Sequence, residues 1–201
     1  NSEGSETNNL TVTASETEFN GIIGGTRTLG VMDINGTLDL NAAITNATSI
    51  DVSGTSNLGA NVTTSGTQTY TGAILLSTDV TLTTTNNNVT FVSTVNRTNI
   101  NIARDLTIDT NGTIGTVLFG GLVSNNGTLG DITITGNLDL DAEISYTTSI
   151  SVSGTSNLGA NVTTTSTQTY TGNATINGNR TLTTTNSNVT FSGTTNAASA
   201  G

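Results

Sequence analysis

The sequence repeats itself at an offset of 100 residues. Aligned without a gap, 26–91 and 126–191 agree at 42 of 66 positions. SGTSNLGANVTT and TQTYTG return unchanged, and TLTTTNNNVTF at 81–91 comes back as TLTTTNSNVTF at 181–191. A gap-free duplication of this length restricts the chain to an array whose units stack on copies of themselves, or to tandem domains. The organisation it suggests is 1–25 as weakly repeated N-terminal coils, 26–125 as a first repeat, and 126–201 as a second, truncated one. Upstream the register weakens, although Phe19-Asn20-Gly21 still aligns with Phe119-Gly120-Gly121.

Within each period the apolar residues come as short alternating pairs. Leu38/Leu40, Ile50/Val52, Ile74/Leu76, Val80/Leu82, Val89/Phe91, Ile100/Ile102 and Leu106/Ile108 are separated by Asn-Gly, Ser-Gly, Gly-Thr and Asn-Asn. Alternation over three residues means very short strands, and Gly and Asn tolerate the positive φ of sharp corners. No segment has helical periodicity. Thr, Asn, Gly and Ser fill 116 of 201 positions and the hydrophobic share is 32%, which leaves little for a compact core. The chain is nonetheless not of the disordered type, because it is rich in Thr, Val, Ile and Leu and only 9% charged.

Two all-β architectures suit such a period. Tandem immunoglobulin-like sandwiches need about seven strands of roughly five to eight residues around an aromatic-bearing core, and here three Tyr, four Phe and no Trp serve the whole chain. A parallel β-helix (solenoid) needs only two or three inward residues per strand, since each coil buries its pair against the coils above and below. The pattern therefore predicts a right-handed parallel β-helix, with tandem sandwiches as the alternative. At roughly 20 residues per coil, one period makes about five coils. Leu38, Leu40, Ile50, Val52, Val89, Phe91 and their counterparts 100 positions on should point inward, with Asp51 and Ser151 pointing out.

Composition excludes much chemistry. The absence of His and Cys removes the usual zinc, haem and iron–sulfur ligands, disulfides, and Ser-His or Cys-His nucleophile pairs. Lys is absent too, so neither a Schiff base nor a P-loop is available. Fourteen acidic residues against four Arg give a net charge of -10, the wrong sign for a phosphate backbone or an anionic membrane. The chain reads as neither an enzyme nor a nucleic-acid binder, with no cofactor, no metal and no membrane-inserting segment.

Several motifs carry candidate roles. The triplets Thr11-Val12-Thr13, Thr81-Leu82-Thr83, Thr133-Ile134-Thr135 and Thr181-Leu182-Thr183 each put two hydroxyls on one strand face, and a stack of them would make the flat array used by some ice-binding solenoids. The order needed on adjacent coils is not visible, and any Thr-rich solvated face gives such triplets. Asp139, Asp141 and Glu143, with Asp131 nearby, have the alternation that places three carboxylates on one strand face, as for a calcium platform or an acid/base pair. The plainer reading is a solvated anionic stripe that discourages sheet pairing. Arg104-Asp105 reads as a surface neighbour pair of little energetic value. Asn88 and Asn188 belong in Asn-rich corners, where amide side chains form ladders along a stack.

TQTYTG at 67–72 and 167–172, followed by TLTTTNxNVTF and by Thr94-Val95-Asn96, resembles the repeat vocabulary of filamentous-haemagglutinin-type exoproteins and giant autotransporter adhesins. The resemblance covers about half the chain. It implies a secreted, extracellular stalk segment on a bacterial cell surface, structural or fibre-forming, with no catalytic residue to carry over. A glycan- or ice-binding module using an exposed Thr/Asn face is the alternative, with a host or neighbouring-cell glycan or protein as partner. Without a start Met or signal peptide, the sequence reads as a processed product or a piece of a longer chain. Neither 1–9 nor 194–201 resembles a solenoid cap, so the expectation is either continuation into a longer rod or end-to-end self-association.

Overall fold

The computed structural model describes residues 6–125 and 127–199. Among them there is no helix. Every strand pairing is parallel, and the strands form one continuous stack of about nine turns. Parallel pairing throughout rules out the antiparallel sandwiches and leaves the parallel β-helix. At the ~4.8 Å spacing of neighbouring strands, nine turns make a rod of roughly 40 Å.

Each turn has three sides. On one, the inward pairs run Leu10/Val12, Met32/Ile34, Ile50/Val52, Gln68/Tyr70, Val89/Phe91, Val117/Phe119, Leu138/Leu140, Ser156/Leu158 and Ala174/Ile176, ending at Thr195/Ala197. We call this the first face. The second follows Phe19, Leu40, Leu58, Leu76 and Arg97, then Val123, Ile144, Val162 and Leu182. The third follows Ile23, Ile44, Val62, Leu82, Ile108, Ile134, Val152, Tyr170 and Phe191. The regular coil is the stretch from Ile50 to its stacked partner Gln68, shared equally among the three sides. Half of each side forms a strand such as Ser56–Leu58, buried at its ends and half-exposed between, and the other half turns the corner. Such a strand is stable only because coils on both sides bury it; alone it would be a marginal fragment.

Of the residues expected to point inward, Leu38, Leu40, Ile50, Val52, Val89, Phe91, Leu138, Leu140, Ile150 and Val152 are at most 2% exposed. Val189 and Phe191 also pack against the core, but in its last coil and only half-buried. Asp51 and Ser151 are exposed, as the alternation requires.

The period is a third of a turn short of five coils. Starting from Met32, five coils lead through Ile50, Gln68, Val89 and Val117 to Leu138. Their lengths are unequal: the first two match, and the coil from Val89 to Val117 is the longest of the five. The repeat equivalent of Met32 is Ile132, which precedes Leu138 by one side and therefore lies on the third face. Repetition in sequence thus rotates each motif by a third of a turn. TQTYTG lies on the first face at 68–70 and on the third at 168–170.

One expectation fails. Ile100 and Ile102 do not form an inward strand pair; they are 55% and 43% exposed in a turn. The cause is Arg97, which occupies the inward slot of the strand Val95–Arg97 and donates from its guanidinium to the carbonyls of Asn99 and Ile100. Those bonds, together with the Asn101 N–H donated to Asn99 Oδ1 at 3.0 Å, fold 97–102 back on itself. The segments 1–9 and 194–201, in which no cap is expected, fall partly on 1–5, 200 and 201, which lie outside the described residues.

Candidate functional site

TQTYTG, the motif most visible in sequence, is interior. Gln68 and Tyr70 are fully buried. Gln68 Nε2 donates to the Thr83 carbonyl at 2.9 Å and the Val62 carbonyl at 3.2 Å, while Tyr70 Oη donates to Gln68 Oε1 at 3.1 Å. Gln168 and Tyr170 repeat the arrangement with distances of 2.8, 3.1 and 3.3 Å. A buried amide is tolerated where its donors and acceptor are all engaged, and here it ties a first-face strand to two strands of the third face, Val62–Thr64 and Val80–Thr83. The motif is a structural polar plug rather than a ligand contact.

Burial of the two phenols pushes their pKa well above the ordinary value of about 10. Below pH 10 the phenol is neutral in both states and the folded network is intact. Above it the unfolded phenol ionises while the buried one stays neutral, so stability falls as pH rises. The expected loss is up to about 1.4 kcal/mol per pH unit for each phenol. Urea unfolding at pH 9 and pH 11 checks this, and a Tyr70→Phe/Tyr170→Phe double variant should lose most of the pH dependence.

The outward positions of the third face form a continuous ladder. Thr81, Thr107, Thr133, Ser151, Thr169 and Thr190 lie opposite one another on six successive coils, ~4.8 Å apart. Beside it runs a second row, Thr83, Asp109 and Thr135. The four triplets seen in sequence do not themselves stack: Thr11-Val12-Thr13 is on the first face and Thr181-Leu182-Thr183 on the second. Of the four, only Thr81/Thr83 and Thr133/Thr135 share the ladder, which is completed by residues outside these four triplets. Coil length varies, from the short step between Ile50 and Gln68 to the long one between Val89 and Val117, so no fixed sequence spacing reveals it.

A shallow open groove of about 260 Å³ runs along the first face, lined by Thr116, Asn137, Asp139, Thr155, Asn157 and Thr175. Several of its outward polar groups bond within the groove, while the buried Ser156 hydroxyl has no partner. Asn157 Nδ2 donates to Asp139 Oδ1 at 2.8 Å, and the Thr155 hydroxyl donates to Asn137 Oδ1 at 2.9 Å. The first repeat has the same pair, Asn57 Nδ2 donating to Asp39 at 2.9 Å.

The acidic alternation at 139–143 does not make a platform. The strand ends at Leu140, so Asp139 sits on a face while Asp141 and Glu143 occupy the following corner. Asp131 lies apart, accepting from the Ser149 hydroxyl at 2.7 Å. Among the described residues no group of three or more His, Cys, Asp or Glu side chains is placed to hold a metal ion. The expected Arg104–Asp105 pairing is also replaced. Arg104 reaches Asp79 at 4.0 Å, an exposed contact of small value, while Asp105 Oδ1 accepts the Asp131 N–H at 2.8 Å.

Asn side chains do bond along the stack, but chiefly not to one another. Asn61, Asn88 and Asn161 accept the backbone N–H of Thr81, Thr116 and Thr181 at 2.8, 2.9 and 2.9 Å. These bonds reach from corner Asn side chains to backbone donors of the next coil, where the sheet ladder between the two lapses. An amide pair such as Asn41 to Asn20, at 3.1 Å, is the less common form. No protein-family model matches the chain, and neither a curated protein nor a solved structure matches it.

Proposed function

We propose that this chain is a structural stalk segment of a secreted or cell-surface adhesin or fibre-forming protein, extracellular on a bacterium. The observation that carries the reading is the uninterrupted core. Pairing passes from the first repeat into the second without a break, Val95 to Val123 to Ile144, so the two repeats form one rod rather than two beads. Length is obtained by adding coils, each covered by its neighbours. The exterior of Thr, Ser and Asn, low in charge, suits a solvated rod, and the repeat resembles those of filamentous-haemagglutinin-type adhesins. Small-angle scattering that gives a cylinder of roughly 40 Å per chain, with slow proteolysis, supports the reading; a compact or flexible particle overturns it.

The Thr/Ser ladder favours a second reading, an ordered hydroxyl face that binds glycan or ice. A Thr107→Ala/Thr133→Ala/Thr169→Ala variant separates the two. On a solvated face each change costs at most about 0.5 kcal/mol, so the variant stays folded. A stalk keeps every property, whereas a binder loses glycan-array or ice-recrystallisation activity.

A further inference from the structure

The groove on the first face lies between two parallel rows of outward side chains. Thr116, Asn137 and Thr155 make one row on three successive coils, and Asp139, Asn157 and Thr175 make the other. Along each strand the rows are two residues apart, about 6.6 Å. Leu138 and Ser156, whose side chains turn inward, form the floor, and Leu118 stands next below Asp139. The walls are fixed by their own bonds. Asn137 Oδ1 accepts the N–H and the hydroxyl of Thr155, each at 2.9 Å, while Asn137 Nδ2 donates to the Thr113 carbonyl at 3.1 Å and Asn157 Nδ2 to Asp139 Oδ1 at 2.8 Å. Among the described residues no hydrogen bond reaches Asp139 Oδ2 or the hydroxyls of Thr116 and Thr175.

The same stretch of sheet occurs 100 residues earlier with other walls. Asp39, Thr55 and Asn57 are retained, but Glu16, Glu18, Thr37 and Leu75 stand where the groove has Thr116, Leu118, Asn137 and Thr175. Leu75 is the neighbour of Asn57, whose Oδ1 is buried there without a partner. Threonine in that place is shorter and brings a hydroxyl, and without the two glutamates Asp139 is the one charged residue of the lining. An anionic chain would meet that carboxylate and a net charge of -10. An extended peptide has no free strand edge to join, because the floor strands are paired on both sides. The lining suits an uncharged ligand whose hydroxyls recur along its length, each able to donate and to accept. We propose that the groove binds a neutral oligosaccharide lying along the rod axis. Asp139 Oδ2 accepts from a ring hydroxyl, the strongest contact because the acceptor is charged, Leu118 meets the C–H face of that ring, and Thr116 and Thr175 bond the hydroxyls on either side. This narrows the binding reading to one ligand class and places it on the first face, away from the Thr/Ser ladder; the stalk reading is independent of it.

Saturation-transfer NMR of the full chain with mannotriose, maltotriose and cellotriose tests the site, with trigalacturonate as the anionic probe. At least one neutral trisaccharide should receive transfer, and trigalacturonate should not. Two variants locate the contact. Thr175→Leu installs the residue that the first repeat accommodates at the equivalent place, so the fold is kept, and Asp139→Ala removes the charged acceptor. Each should weaken binding at least about tenfold, with circular dichroism unchanged. The Thr107→Ala/Thr133→Ala/Thr169→Ala chain should bind as the parent does. Transfer to none of the neutral sugars, equal transfer to trigalacturonate, or binding that survives Thr175→Leu overturns the site. Binding lost in the ladder variant instead assigns the sugar to the third face and overturns it as well.

Discussion

Replacing Phe91 by alanine is expected to cost about 3–5 kcal/mol, and the same change at Phe191 about half that or less. The residues are identical in sequence context but not in surroundings. Phe91 is fully buried between Tyr70, at 5.7 Å and 13°, and Phe119, at 5.1 Å and 10°. Truncation there opens a cavity that the coils on either side cannot close, because each is fixed by its own pairings, and removes two stacking contacts worth about 0.5–1.5 kcal/mol each. Phe191 keeps a single ring partner, Tyr170 at 5.1 Å, and is already half-exposed. Urea denaturation of both variants measures the difference. Equal losses would mean that the end coil is covered in solution.

A second large effect is expected at Gly72. A Cβ placed there would lie 2.2 Å from the Gly54 carbonyl carbon and 2.3 Å from its oxygen. Both are backbone atoms of the neighbouring coil, which is held on either side by the pairings Val52 with Tyr70 and Ser56 with Ile74. No rotamer relieves the overlap, so Gly72→Val must separate two coils, at a cost on the order of 3 kcal/mol or more. Gly21 is the control. A Cβ there meets nothing within 4 Å, and Gly21→Ala should be neutral or slightly stabilising through the unfolded chain. Thermal unfolding followed by circular dichroism separates the two; a Gly72→Val chain as stable as the parent would show that the corner spacing is adjustable.

Much of the fold was legible because the inward rule is local. A pair such as Ile50/Val52 flanking Asp51 declares its own orientation through the two-residue period of a strand, whatever lies above or below it. The rule failed at Ile100/Ile102, where the competing influence was a turn organised by Arg97, an Arg in a slot that the pattern reserves for apolar side chains. Asp139, Asp141 and Glu143 misled for a related reason. Alternation puts side chains on one face only while the strand continues, and this strand stops at Leu140. TQTYTG was visible but its role was not, since the partners of Gln68 are carbonyls of Val62 and Thr83, on other sides of the coil.

The sequence by itself determined the duplication, the strand-and-corner rhythm, the inward residues and the absence of His, Cys and Lys chemistry, because each is a property of one residue or of near neighbours. Only the tertiary structure decided which residues stack. Coils of unequal length, short from Ile50 to Gln68 and long from Val89 to Val117, carry the repeat a third of a turn short of five coils. Equivalent motifs therefore occupy different faces, and the hydroxyl ladder from Thr81 to Thr190 is assembled from positions with no common spacing. Stacking depends on the summed length of every corner between two strands, which no local pattern contains.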